Sequence, residues 1–176
     1  MDRSVERHFL ALWPNAAART ALEALRAGLA GVEGRLMPES NLHITLVFLG
    51  ATNVEQRRCV ERACANIAAE PMEIRLERMR YRARGGIVWI EPAVTPVALT
   101  DLVRALEAGL KTCGIALPPR PYRAHMTLAR DVRRYSAPPS PAPIVWTART
   151  FCLVRSESAP RGSRYTIERE WGLGRG

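Results

Sequence analysis

Two short segments with one shared pattern limit what this chain can fold into. Leu42-His43-Ile44-Thr45-Leu46-Val47-Phe48-Leu49-Gly50 is apolar, β-branched and aromatic, and it closes on a glycine, as a buried strand does. His43 and Thr45 are its only polar side chains. Successive side chains of a strand point to opposite faces, so these two share one face, while Ile44, Leu46 and Phe48 are expected to enter a core. Ala124-His125-Met126-Thr127-Leu128-Ala129-Arg130 repeats the arrangement half a chain later. Two His-x-Thr-Leu strands imply a duplicated architecture with a site between the copies.

The rest of the chain supplies elements around these strands. Val5 to Trp13 alternates as a strand, with Arg7, Phe9 and Ala11 on one face and His8, Leu10 and Leu12 on the other. Pro14 is expected to open a helix to about Ala30, with Ala17, Leu22, Leu25 and Leu29 as its stripe. Thr52-Asn53-Val54-Glu55 has the form of a capping box. The helix after it should reach about Ala69, with Cys59, Ala63 and Ile67 inward. Met72 to Arg82 and Ile87 to Glu91 flank Gly85-Gly86 as a hairpin. Pro96 to Cys113 carries Leu99, Leu102, Val103, Leu106 and Leu110 at helical spacing, and Gly114 ends it. Leu117 to Tyr122 is a proline-stiffened approach to His125, and Tyr135 to Pro143 is a loop. Ile144 to Val154 and Ser163 to Trp171 close the chain as two strands joined by a polar loop, Arg155 to Gly162.

Composition narrows the function classes. At 176 residues the chain is expected to form a single domain, 1–176, of two lobes. No apolar run approaches the roughly 18 residues of a membrane span, and no signal peptide is legible, so a cytoplasmic location is expected. The net charge of +9 suits a polyanionic partner such as RNA. Of the 26 basic residues all but Lys111 are arginine, a bias that a GC-rich genome also produces. Arginine does suit phosphate, because its planar fork can bind two oxygens. The four cysteines form no C-x-x-C pair and have no zinc-finger spacing, so buried reduced thiols are expected.

Two histidines facing across a cleft can perform acid–base catalysis near neutrality. One takes a proton from the attacking oxygen and the other gives one to the leaving oxygen. Phosphoryl transfer needs these groups on opposite sides of phosphorus. Thr45 and Thr127, on the same faces, can hold phosphate oxygens. A metal site would recruit carboxylates or further imidazoles; neither motif has an acidic residue within two positions, and His8 reads as structural. No metal and no cofactor are therefore expected. Strand parity puts Arg130 opposite His125, so it reaches the cleft only if the strand ends or bulges there. Arg7, Phe9, Tyr122 and Arg123 complete the candidate contacts to phosphate or base.

His43-Ile44-Thr45-Leu46 and His125-Met126-Thr127-Leu128 resemble the paired H-x-T-x signatures of the two-histidine phosphoesterases, and most closely the RNA 2′,3′-cyclic phosphodiesterase, or 2′-5′ RNA ligase, family. Arg7 to Leu12, Asn41 to Gly50, Thr127 to Arg130 and Tyr165 to Trp171 are similar to its strands. The resemblance implies an α+β, duplicated, two-lobed fold: two antiparallel sheets facing across a central cleft, with helices outside. It implies opening of a terminal 2′,3′-cyclic phosphate to a 2′-phosphate, with His43 as general acid and His125 as general base. RNA ends or nucleoside 2′,3′-cyclic phosphates are the implied partners, and a monomer is expected. Ala124 stands where a proline commonly precedes the second histidine, and Met37 and Pro38 stand where an aromatic residue commonly precedes the first motif. A non-catalytic RNA-binding module and a phosphodiesterase of small cyclic nucleotides are the alternatives.

Overall fold

The computed structural model describes residues 5–29, 32–117, 121–136, 141–160 and 162–174. Its elements are β1 (Glu6–Leu12), α1 (Ala16–Ala27), β2 (Arg35–Leu36), β3 (Ile44–Thr52), α2 (Val54–Ala65), β4 (Met72–Leu76), β5 (Arg78–Arg82), β6 (Ile87–Glu91), α3 (Val97–Leu110), β7 (Met126–Arg130), β8 (Ile144–Ala148), β9 (Thr150–Ala159) and β10 (Gly162–Gly172). One antiparallel sheet has the order β10-β9-β1-β3, a second β2-β7-β6-β5, and β4 pairs separately with β8. The first motif lies at an edge of the first sheet and the second motif inside the second sheet. Parts of two expected segments, the approach before His125 and the loop after Tyr135, lie outside the described residues.

One continuous core runs through the elements. It includes Leu10, Leu12, Ile44, Leu46, Val47 and Leu49 of the first sheet, Val88, Ile90, Met126 and Leu128 of the second, and Leu99, Leu102, Val103 and Leu106 of α3. Each such aliphatic side chain contributes roughly 1.5–3 kcal/mol by leaving water. A smaller cluster of Phe9, Ala11, Cys152 and Val154 covers the other face of the first sheet.

Several local expectations are corrected by specific interactions. Helix α1 is capped by Asn15, whose side chain accepts from the Ala18 amide at 2.9 Å, and the later start turns Ala18, not Ala17, inward. The capping box of α2 is Asn53 with Gln56, one residue later than expected. Thr52 is already engaged, its hydroxyl lying 2.6 Å from His8 Nδ1. Val60 and Cys64 are the fully buried residues of α2, while the expected Cys59 and Ala63, with Ile67 just beyond the helix, pack partly buried against the same core. The strand expected over 72–82 breaks at Glu77 into β4 and β5, which join different sheets. The stretch 144–154 likewise divides at Arg149, and most of the expected polar loop continues β9.

Cys59 and Cys113 form a disulfide with Cα atoms 5.6 Å apart, tying α2 to the turn that ends α3. The reduced-thiol expectation holds for Cys64 and Cys152 only. Spacing along the chain could not show that two helices bring Cys59 and Cys113 together. Phe48, expected in the core, is 52% exposed. The cause is a β-bulge: Ala11 pairs with Thr45 but Leu10 pairs with Val47, leaving Leu46 as an extra residue. Leu46 and Val47 are both buried, and parity reverses beyond them.

Candidate active site

The second motif strand carries the same irregularity. Trp89 pairs with Thr127 and Val88 with Ala129, so Leu128 is the extra residue. Leu128 and Ala129 are both buried. Arg130 is thereby turned to the face of Thr127, which meets the condition set by strand parity. The hairpin behind it is fixed by Gly86, at φ +55: a Cβ there would lie 2.6 Å from the Val132 nitrogen. Only glycine accepts that approach, which brings the β5–β6 hairpin against the chain leaving β7.

Thr45 and Phe48 from the first sheet, Ile87, Trp89, Glu91, Thr127, His125 and Arg130 from or beside the second, and Tyr122 and Arg123 line one cleft of about 490 Å³. Both histidines sit immediately before their strands. His43 Nδ1 lies 2.7 Å from the Asn41 carbonyl, and His125 Nδ1 lies 2.9 Å from the Arg123 carbonyl. A carbonyl can only accept, so Nδ1 carries the hydrogen in both rings and Nε2 is the nitrogen left for chemistry. In each case the carbonyl belongs to the residue two before the histidine. Asn41 is itself held, since its side-chain amide donates to the Ser163 carbonyl at 2.7 Å. The Thr45 hydroxyl donates to His43 Nε2 at 3.0 Å.

The two imidazoles differ in their surroundings. His43 is stacked on Trp13, with centroids 5.1 Å apart and planes 12° apart, and it touches Phe9 at 4.8 Å and Tyr165 at 5.3 Å. Desolvation by this box is the main force that lowers its pKa to about 4; the Asn41 carbonyl opposes it, and His125 and Arg130 add to it. His125 is exposed, and its nearest aromatic neighbour is Trp89 at 6.4 Å, edge to face.

The other expected contacts separate into groups. Tyr122 lines the cleft, and among the described residues its hydroxyl has no hydrogen-bond partner; burial raises its pKa. Arg123 is exposed beside Glu91. Phe9 is 4% exposed and supports the His43 ring. Arg7 is exposed near the opposite end of β1 and is not among the cleft-lining residues. Sequence reasoning missed Trp13, Tyr165, Trp89 and Glu91. The alternation of Ile87, Trp89 and Glu91 in a hairpin strand was the available signal for the last two. Burial opposes ionisation of Glu91, but the Trp89 indole N–H and Arg80, each 2.8 Å away, outweigh it and hold the carboxyl below its usual range.

His8 lies on the opposite face of β1 from Phe9. Its Nε2 meets Glu168 at 3.1 Å and Glu6 at 4.0 Å, a trio whose spacing could admit a cation. Arg155 and Arg57 already pair with those carboxylates. The group is an ionic network whose carboxylates are already engaged, consistent with the structural reading of His8.

The family model described as the 2′-5′ RNA ligase superfamily matches residues 13–159. The chain belongs to this superfamily. Curated relatives include the RNA 2′,3′-cyclic phosphodiesterase of Escherichia coli K12, 28% identical over 80% of each chain. That of Thermus thermophilus is 31% identical over 78% of this chain and 74% of its own. Among solved structures, E. coli LigT in complex with 3′-AMP superposes with a TM-score of 0.89 at 26% identity, covering 98% of this chain and 100% of its own. The Thermus thermophilus protein TT0787 gives 0.80 at 27% identity, over 95% and 97%. The α+β arrangement of antiparallel sheets is therefore shared with these solved structures.

Proposed function

We propose that the protein opens 2′,3′-cyclic phosphates at RNA ends to 2′-phosphomonoesters. The carrying observation is the pair of imidazoles with matching Nδ1–carbonyl bonds, His125 lining the cleft and His43 bonded to Thr45, which lines it. The curated relatives named RNA 2′,3′-cyclic phosphodiesterase support the substrate class. In this reading His125 Nε2 takes a proton from water as the water oxygen bonds to phosphorus. The bond from phosphorus to the 3′ oxygen breaks, and His43 Nε2 gives that oxygen a proton. Thr45, Thr127 and Arg130 hold the non-bridging oxygens. Each proton transfer is worth roughly 10²–10⁴-fold. If a 5′-hydroxyl replaces water, the same steps form a 2′-5′ linkage.

The lowered pKa of His43 places a condition on this assignment. The ring is held neutral in the free protein, so it must gain its proton as the anionic phosphate arrives and opposes the cost of charging it. We further propose that the chain acts as a monomeric, two-lobed unit in the cytoplasm, where RNA ends are found. No helix among the described residues is long and apolar enough to cross a membrane. A bond such as Cys59–Cys113 is uncommon in the cytoplasm. Non-reducing analysis of protein taken directly from cells tests the location, and a fully oxidised pair there would count against it.

The test of the activity is incubation of a nucleoside 2′,3′-cyclic phosphate with the protein in EDTA, followed by ³¹P NMR. The expected product is the 2′-monoester. A 3′-monoester, or no turnover, defeats the reading.

A further inference from the structure

Strand β5 forms an edge of the second sheet, and arginine occupies every second position along it: Arg78, Arg80 and Arg82. Pairing with β6 fixes the face they take. Met79 and Tyr81 pair with Ile90 and Val88, which are fully buried, so these residues face the core. The arginines pair with Glu91, Trp89 and Ile87, all of which line the cleft. Side-chain positions agree: Arg80 reaches Glu91 at 2.8 Å, and Arg82 itself lines the cleft.

The arginine row is parallel to the motif strand. Trp89 pairs with both Arg80 and Thr127, so the order across the sheet is Arg80, Trp89, Thr127. Two strand spacings separate the arginine row from the threonine, about 10 Å. An aromatic surface lies between them. This sequence of cation row, indole and phosphate site matches the sequence of phosphate, nucleoside and phosphate in an RNA strand. Alternate strand residues advance roughly 7 Å, so the row can meet successive phosphates. Among the described residues Arg78 and Arg82 form no ion pair, and their charge is available to a ligand. The carboxylates lining the cleft are Glu91, engaged by Arg80 and Trp89, and Glu107.

We propose that Arg78, Arg80 and Arg82 form a binding track for the RNA backbone on the 5′ side of the reactive phosphate, with Trp89 beneath the intervening nucleoside. The track makes the preferred substrate an RNA strand rather than a mononucleotide. Naming RNA rests on the hydrolase reading above; the track itself can be tested without turnover. Edge arginines also deter sheet-to-sheet pairing, and that role alone predicts no effect on RNA.

The experiment compares wild-type protein, the double variant Arg78→Gln/Arg82→Gln, its lysine counterpart Arg78→Lys/Arg82→Lys, and a control with the same charge change on the helices, Arg19→Gln/Arg58→Gln. Anisotropy of a 5′-labelled decaribonucleotide ending in a 3′-phosphate gives affinity against salt. The expected result for the glutamine variant is at least tenfold weaker binding and a log–log salt slope shallower by about 1.4, two single-strand phosphate contacts. Lysine should restore most of the slope, and the control should match wild type. In parallel, the ratio of kcat/KM for a cyclic-phosphate-ended decamer to that for a cyclic mononucleotide should fall at least tenfold in the glutamine variant. An unchanged slope and affinity in that variant, or an equal change in the control, overturns the track. If no cyclic phosphate is hydrolysed by wild type, the hydrolase reading fails, and anisotropy alone decides the track.

Discussion

Phe48 and Arg130 stand at equivalent points of the two motif strands: each follows its histidine by five residues, and each is turned into the cleft by a bulged leucine two positions earlier. One bulge repeated in both strands thus delivers unlike side chains, an aromatic ring on one wall and a cation on the other. The expected division of labour follows. Arg130→Ala should lower kcat/KM by about 10- to 100-fold, the loss of one charge-assisted hydrogen bond. Phe48→Ala should act mainly through KM. Steady-state kinetics on a cyclic mononucleotide checks both, and equal effects on kcat from the two changes would contradict the division.

The histidines themselves give the strongest test. His43→Ala and His125→Ala should each reduce kcat by roughly 10²–10⁴-fold in a protein with native circular dichroism. The double variant should lose less than the product of the two, because both groups act in one transition state. Near-normal turnover in either single variant would rule out the two-histidine mechanism.

Burial of His43 also affects stability. The unfolded ring takes a proton near 6.5, whereas the folded ring resists protonation until about 4. Between those values the unfolded chain binds more protons, so stability is full above pH 6.5 and declines as pH falls towards 4. The decline from this group is at most about 3 kcal/mol. Urea unfolding at pH 7, 5 and 4 should show wild type losing more than His43→Gln. Parallel losses would mean that the aromatic box does not oppose the charge.

His8 should behave differently from the motif histidines. It is 3% exposed and bonded to Thr52 and Glu168 on the face away from the cleft. His8→Ala should leave kcat unchanged and cost about 1–3 kcal/mol of stability by stranding those partners. A loss of turnover without a loss of stability would place His8 in the chemistry.

Thiol titration in denaturant should find two reactive cysteines, Cys64 and Cys152, before reduction and four after it. The bridge closes a loop across a separation of 54 residues, so reduction should cost about 4 kcal/mol. Four thiols in the unreduced protein would show that the bond does not form.

The parts of the structure governed by local pattern were legible in the sequence, and those governed by tertiary contact were not. The five buried residues of α3 are the stripe read from their spacing, because that helix packs along one apolar face. His43, Thr45, His125 and Thr127 were legible as a repeated pattern and did not depend on partners. Phe48 was misplaced because a bulge is specified by the neighbouring strand, not by the bulged one. Cys59 and Cys113 were misassigned for a related reason: α2 and α3 meet only after folding. The aromatic box around His43 draws Trp13 and Tyr165 from distant parts of the chain, and neither carries a mark of its role.

The strand order of the first sheet governs when the site can exist during synthesis. Strand β1, made first, lies between β3 and β9, with β10 beyond. A nascent chain that has emerged through Arg130 already contains both histidines. At that stage the ring of His43 lacks Tyr165, and Phe9 and Ala11 lack the Cys152 and Val154 surface that covers them. Closing the sheet joins Phe9 to Val154 across most of the chain, a slow, long-range step. A partly translated protein therefore has both motif histidines but not the Tyr165 wall of the His43 box, and on the proposed mechanism full activity should be acquired only when the last strands leave the ribosome.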